Sequence, residues 1–272
     1  MYVRKWDFRD DWRLWFKLIA ITLVLTFLVL DYSQKLIGAC FMSGTEWAIY
    51  GADSDKIIAY DYLGFNIYYV TSFTFITTIF IFMWLLVAII KHNIIFGRWE
   101  RSFWISRLVT VLIATCALLN TTIYLFVNLP VYLVQDKFAP YSILYLIGDV
   151  LINTVPTIGL VTYVYFINTV SYEKVYLEDY FKKQLPWVFV YPAVYLGTEF
   201  GRILLIHYQY GLRVNATRNH HGFRYFFLEI FNNNLFGMYG AIWFVFVILI
   251  CGGLLVGYSL LTHIAIESRS KR

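Results

Sequence analysis

Charge is scarce in this chain. Only 14% of its 272 residues are Asp, Glu, Lys or Arg, against roughly 25% in soluble globular domains. That shortage excludes an arrangement of one or two soluble domains. Cysteine is also rare: Cys40, Cys116 and Cys251 are odd in number and widely scattered, which excludes a disulfide framework. There is no alternation of apolar and polar residues over segments of about ten, as the strands of a membrane barrel require. Low-complexity tracts, linkers and convincing internal repeats are missing too. His220 and His221 are adjacent, with no Cys or carboxylate partner at ligand spacing, so no metal is expected, and no other cofactor.

What the chain has is apolar length. Hydrophobic residues make up 60% of it, gathered into runs of about 20, long enough to cross a bilayer core. The runs lie at about 14–30, 69–90, 103–127, 141–170, 187–207 and 235–264. They predict an all-α, polytopic membrane protein: a single domain over 1–272, built as a bundle of six transmembrane helices. The first run is too long for a signal peptide, and no small-residue cleavage site directly follows it.

Orientation follows from Lys and Arg. With the N-terminus inside, the inner segments hold fifteen of them, including Lys17, Arg107, Lys182 and Lys183. The outer segments hold six, and Arg202 lies within the fifth helix. The bias predicts that both termini are cytoplasmic. The net charge of +5 then reflects topology and anionic inner-leaflet lipid, with no nucleic-acid partner implied. Abundant Ile, Phe, Tyr and Asn suit an AT-rich bacterial genome, so the expected location is a bacterial cell membrane. The stretch 172–184 (YEKVYLEDYFKKQ) reads as an amphipathic segment at the interface.

The polar residues inside the runs share one depth. Thr71, Thr74 and Thr78 recur at i, i+3, i+7 on the second helix, and Asp149, Asn153 and Pro156 at i, i+4, i+7 on the fourth, each set on one face. The third helix adds Asn120 and Thr121. The fifth adds Thr198, Glu199 and Arg202, the last two spaced to pair. Because the second and fourth helices run inward and the third and fifth outward, all four aim polar groups at the outer half. A lone Asp or Arg at mid-membrane costs at least about 2.5–3.5 kcal/mol. The expectation is therefore an outward-opening polar pocket walled by Asp149, Glu199 and Arg202. The alternative is that Thr and Asn serve as interhelical glue, at about 0.6 kcal/mol each, with Glu199–Arg202 a structural ion pair. Gly253 and Gly257 form a GxxxG pair on the last helix, suited to close packing within the chain, to a protein partner or to a homodimer.

The C-terminal half carries a resemblance. Residues 185–195 (LPWVFVYPAVY) followed by Arg202, then 225–228 (YFFL) and a Gly-rich last helix, resemble the androgen-induced, FAR-17a-like family of six-helix membrane proteins, most clearly over about 140–262. Its bacterial branch is similar in length and helix count. The resemblance implies lipid-ester hydrolysis by a Thr early in the second helix and a His in the fourth. Thr71, in Tyr69-Val70-Thr71, matches the Thr position, but Leu151-Ile152-Asn153-Thr154-Val155 supplies no His before Pro156. A Thr hydroxyl needs a base, and Asp149 or Glu199 would have to replace the imidazole. Three functions follow: a pocket that binds membrane lipid or a small amphiphile without turnover, a Thr-dependent hydrolase with a carboxylate base, or a structural or partner-binding subunit. Transport draws little support, because inverted repeats are not visible.

Overall fold

A computed structural model of the chain describes residues 11–37, 47–50, 57–92, 102–134, 143–168, 172–210, Tyr225, Leu228 and 239–270. Cys40, the His220–His221 pair and most of the connecting segments at about 37–65 and 208–234 lie outside the described residues. Six helices are long and apolar enough to cross a membrane, over Trp12–Ile37, Phe73–Ile90, Arg107–Val131, Leu146–Ile167, Leu177–Leu205 and Gly240–Arg269. The protein is an all-α, multi-pass integral membrane protein. Its outer faces carry Ile158, Leu205, Leu249 and Ile250 in the open, a surface that lipid chains cover and water does not.

The first span is α1 (Trp12–Ile37). After it, strands β1 (Ala48–Tyr50) and β2 (Ile57–Tyr60) form an antiparallel hairpin that the sequence reading did not foresee. The second span differs from the single helix expected over 69–90. It is broken into α2 (Tyr62–Val70) and α3 (Phe73–Ile90). Side chains close the break: Thr71 Oγ1 donates to the Ile67 carbonyl at 2.6 Å, and Ser72 Oγ accepts from the Phe75 amide at 3.2 Å. Ser and Thr here satisfy backbone groups that a bilayer would leave unpaired.

The third span runs through α4 (Arg107–Ile123), a π turn over Tyr124–Asn128 and α5 (Leu129–Val134). The fourth is α6 (Ile143–Thr162), ending in a π turn over Tyr163–Ile167. The fifth begins with α7 (Leu177–Asp179) and a π turn over Tyr180–Gln184, then continues as α8 (Leu185–Tyr210). The amphipathic stretch thus runs straight into this span, with Lys182 and Lys183 paired to Glu178 and Asp179 on its exposed side. The last span is α9 (Gly240–Ser270).

The third span is the hub. In an 18-residue stretch of it 61% of the residues are buried, against 11% in the corresponding stretch of the last span, so the one lies at the bundle axis and the other along the lipid face. Small residues make this possible: Ala114, Thr115 and Ala117 are fully buried and let neighbouring helices approach closely. Trp84 of α3 is equally buried and donates its indole N–H to Thr110 Oγ1 at 2.9 Å. Helix α1 packs on α3 and α6, while α9 packs on α4.

Candidate functional site

Between α3, α4 and α6 lies a seam of hydrogen-bonded side chains. Thr74 Oγ1 of α3 lies 2.8 Å from Asn120 Oδ1 and 3.1 Å from Asn153 Oδ1, free to donate its proton to either. Asn120 Nδ2 donates to Asn153 Oδ1 at 3.3 Å, and Asn153 Nδ2 donates back to the Asp149 carbonyl at 2.8 Å. One turn deeper, Thr121 Oγ1 donates to the Asn153 carbonyl at 2.6 Å and sits 2.9 Å from Thr157 Oγ1, which donates to the Ala117 carbonyl at 3.2 Å. Three helices are thereby stitched together at one level. Mutually satisfied amides and hydroxyls of this kind can sit in an apolar interior without unpaired groups.

Asp149 has a partner that sequence reasoning missed. Lys35, near the end of α1, reaches Asp149 Oδ1 at 3.0 Å and Asp31 Oδ1 at 2.8 Å. Tyr69 Oη donates to Asp31 Oδ2 at 2.7 Å, and the ammonium lies 5.8 Å from the centre of the Tyr69 ring. Asp31 and Asp149 are 2% and 7% exposed, so Lys35 bridges two buried carboxylates on different helices. The signal for Asp31 with Lys35 is their i, i+4 spacing. No local pattern reveals Asp149, because that pairing depends on α1 lying beside α6.

The remaining candidates are placed as follows. Thr71 is exposed and hydrogen-bonded to the carbonyl one turn back, in the break between α2 and α3. No hydrogen bond joins it to Asp149 among the described residues. Thr78 is buried on α3. Thr198 Oγ1 donates to the Tyr195 carbonyl at 2.8 Å, and Arg202 Nη2 donates to Glu199 Oε2 at 3.0 Å. Glu199 and Arg202 pair along α8, as their spacing allows.

An apolar cavity of about 260 Å³ lies between α4, α8 and α9, on another side of the central helix from α6. Phe73, Leu119, Ile123, Phe189, Tyr195 and Leu255 are among its walls, and Asn120 and Asn128 are its polar amides. Of the site residues expected from sequence, Asn120 alone lines this cavity. Asp149, Glu199 and Arg202 do not, and most of its wall is hydrocarbon. Pro192 of α8 stands in the same wall. It lacks the amide that would bond the Val188 carbonyl, which loosens the helix at this level. Gly252 faces it from α9, and a β-carbon there would meet nothing within 4 Å.

Two further polar clusters close the opposite end of the bundle. Lys17 is fully buried and donates to the Ala88 carbonyl at 2.5 Å and to His92 Nδ1 at 2.7 Å. His92 Nε2 then faces Asp11 Oδ2 at 3.0 Å. Arg107 pairs with Glu267 at 2.7 Å and donates to His263 Nδ1 at 2.9 Å and to the Glu173 carbonyl at 3.0 Å. Read from sequence, Lys17 and Arg107 are only part of the inner positive charge. Compared with protein-family models, curated proteins and solved structures, the chain matches none.

Proposed function

We propose that this membrane protein binds a lipid or small amphiphile within its bundle and does not turn it over. The observation that carries the reading is the apolar cavity between α4, α8 and α9. A largely apolar concavity with a few polar groups is the usual form of a small-molecule site. Its position against α9, the span least buried in the bundle, gives an amphiphile a short route from the surrounding lipid. The charge bias supports a bundle with both termini cytoplasmic, and the abundance of Ile, Phe, Tyr and Asn supports a bacterial cell membrane. The resemblance to the androgen-induced family supports a scaffold suited to lipid.

Hydrolysis draws less support. A Thr nucleophile needs a base within hydrogen-bond reach, and the Thr71 hydroxyl donates to a backbone carbonyl. Asp149, the other half of that pair, is bound by Lys35. The hydrogen-bonded seam of Thr74, Asn120 and Asn153 favours a structural role for the polar residues beside the binding role of the cavity.

The test is lipid extraction from purified protein, followed by mass spectrometry, with wild type beside Gly252→Phe. The aromatic ring would grow from α9 into open space. A co-purifying amphiphile present in wild type and depleted in the variant, at equal thermal stability, supports binding in the cavity. Equal lipid in both proteins contradicts it.

A further inference from the structure

We infer that the cavity selects an uncharged, single-chain amphiphile whose hydroxyl or amide N–H donates a hydrogen bond to Asn128 Oδ1. The inference rests on the binding role proposed above and specifies the ligand's chemistry.

Besides the tyrosines Tyr195 and Tyr225, two amides line the cavity, and they differ in kind. Asn120 is already engaged, its oxygen with Thr74 and its amide nitrogen with Asn153. Asn128 is 6% exposed, and its Oδ1 is buried with no hydrogen-bond partner. A buried carbonyl oxygen left unpaired in an apolar setting is unfavourable, and native proteins rarely leave one so. Rotation of the side-chain amide so that Oδ1 faces the cavity that Asn128 lines would let a donor arriving there relieve it.

The backbone supplies a reason for its position. Ile123 and Asn128 both line the cavity, yet residues five apart on a regular α-helix stand about 140° from each other around the axis. The π turn over Tyr124–Asn128 adds a residue to the turn and brings the two positions onto one side. Such turns cost hydrogen-bond geometry and recur at functional sites. Here the consequence is to turn an amide toward a hydrocarbon wall.

The wall also restricts the ligand. No charged side chain lines the cavity among the described residues, so a carboxylate or phosphate drawn inside would lose its hydration without a counter-charge. The volume of about 260 Å³ falls just under the range of about 300–1,000 Å³ typical of drug-sized sites. It fits one chain and a small head, and it is too small to enclose both chains of a two-chain lipid.

The experiment compares dodecanol, dodecyl methyl ether and dodecanoate for saturable binding to the full-length protein in lipid nanodiscs. The alcohol and its ether share a chain and an oxygen and differ in the donated hydrogen. Wild type is expected to bind the alcohol about 2- to 10-fold more tightly than the ether, the worth of one hydrogen bond, and dodecanoate more weakly than the alcohol. Asn128→Leu is expected to erase the alcohol's advantage while still binding the ether. Equal affinity for alcohol and ether in wild type overturns the inference without need of a variant, and so does an advantage that persists in Asn128→Leu. In both of those results the cavity still binds, and the proposed function stands. If no probe binds saturably to wild type, the proposed function and this inference fall together.

Discussion

Lys35 ties α1 to α6 through two buried carboxylates. It is the cation between Asp31 and Asp149, and removing it leaves two buried carboxylates facing each other. Breaking a buried ion pair from one side costs about 3–5 kcal/mol. Lys35→Met is therefore expected to lower the unfolding midpoint in detergent far more than Asp149→Asn, which leaves Lys35 on Asp31. Equal effects would show that the two carboxylates do not share the ammonium. The seam of Thr74, Asn120 and Asn153 is gentler. Thr74→Val should cost about 0.6 kcal/mol and at most about 1.7, the range for hydrogen bonds between membrane helices, measured as the shift in unfolding free energy. The common depth of Thr74, Asn120 and Asn153 was legible from helix faces and alternating direction. The bridge from Lys35 to Asp149 was not, since helical periodicity says which face a residue occupies and nothing about which helix stands opposite.

Helix continuity is the feature that sequence conveyed least. Hydropathy ran unbroken through 69–90, yet the chain parts at Thr71 and Ser72, where hydroxyls can satisfy the freed backbone groups. The π turns were invisible for a related reason: one added residue shifts a helix face without altering composition. The turn in the third span permits a direct trial. Deleting Phe126, which is 77% exposed, should restore α-helical register and rotate Asn128 by about 100°. The expected result is a folded protein that no longer prefers dodecanol over its methyl ether. An unchanged preference would mean that the turn does not position the amide.

The opposite end of helices α1 and α3 is joined by Lys17, His92 and Asp11, and this junction is expected to respond to pH. Burial, and then the neighbouring Lys17 charge, hold the His92 imidazole below its ordinary 6.5, although Asp11 pulls the other way. Burial opposes the charge on Asp11, but the Arg13 amide and His92 outweigh it and keep that carboxyl below 3.8. Near and below pH 6.5 the unfolded chain thus takes up a proton that the folded chain resists, so stability is present above that value and is lost as pH falls through it. The unfolding midpoint should drop between about pH 7.5 and 5, and His92→Gln should flatten the drop. The same slope in the variant would contradict the assignment.

At the scale of the whole molecule, the six spans and the membrane class were plain from composition and run length alone, because a bilayer imposes one length and one polarity on every crossing. What composition did not convey is which span lies at the centre. The third span, rich in small residues, is the axis, and the last runs along the lipid face. That arrangement separates the polar seam from the apolar cavity, with Asn120 belonging to both. Asn120 therefore links stability to binding, and Asn120→Leu should weaken both, whereas Asn153→Leu should lower stability alone. Paired unfolding and dodecanol-binding measurements would distinguish them, and a loss of binding in both variants at equal stability would count against the division.

The most direct measurement is photolabelling of the purified protein in nanodiscs with a diazirine-bearing dodecanol, followed by peptide mapping with and without excess dodecanol. Competable labels on the α8 wall around Phe189–Leu196 and the α9 wall around Val247–Leu255 are the predicted result. Labels confined to lipid-facing positions such as Leu205 and Leu249, undiminished by competitor, would contradict the cavity as a binding site.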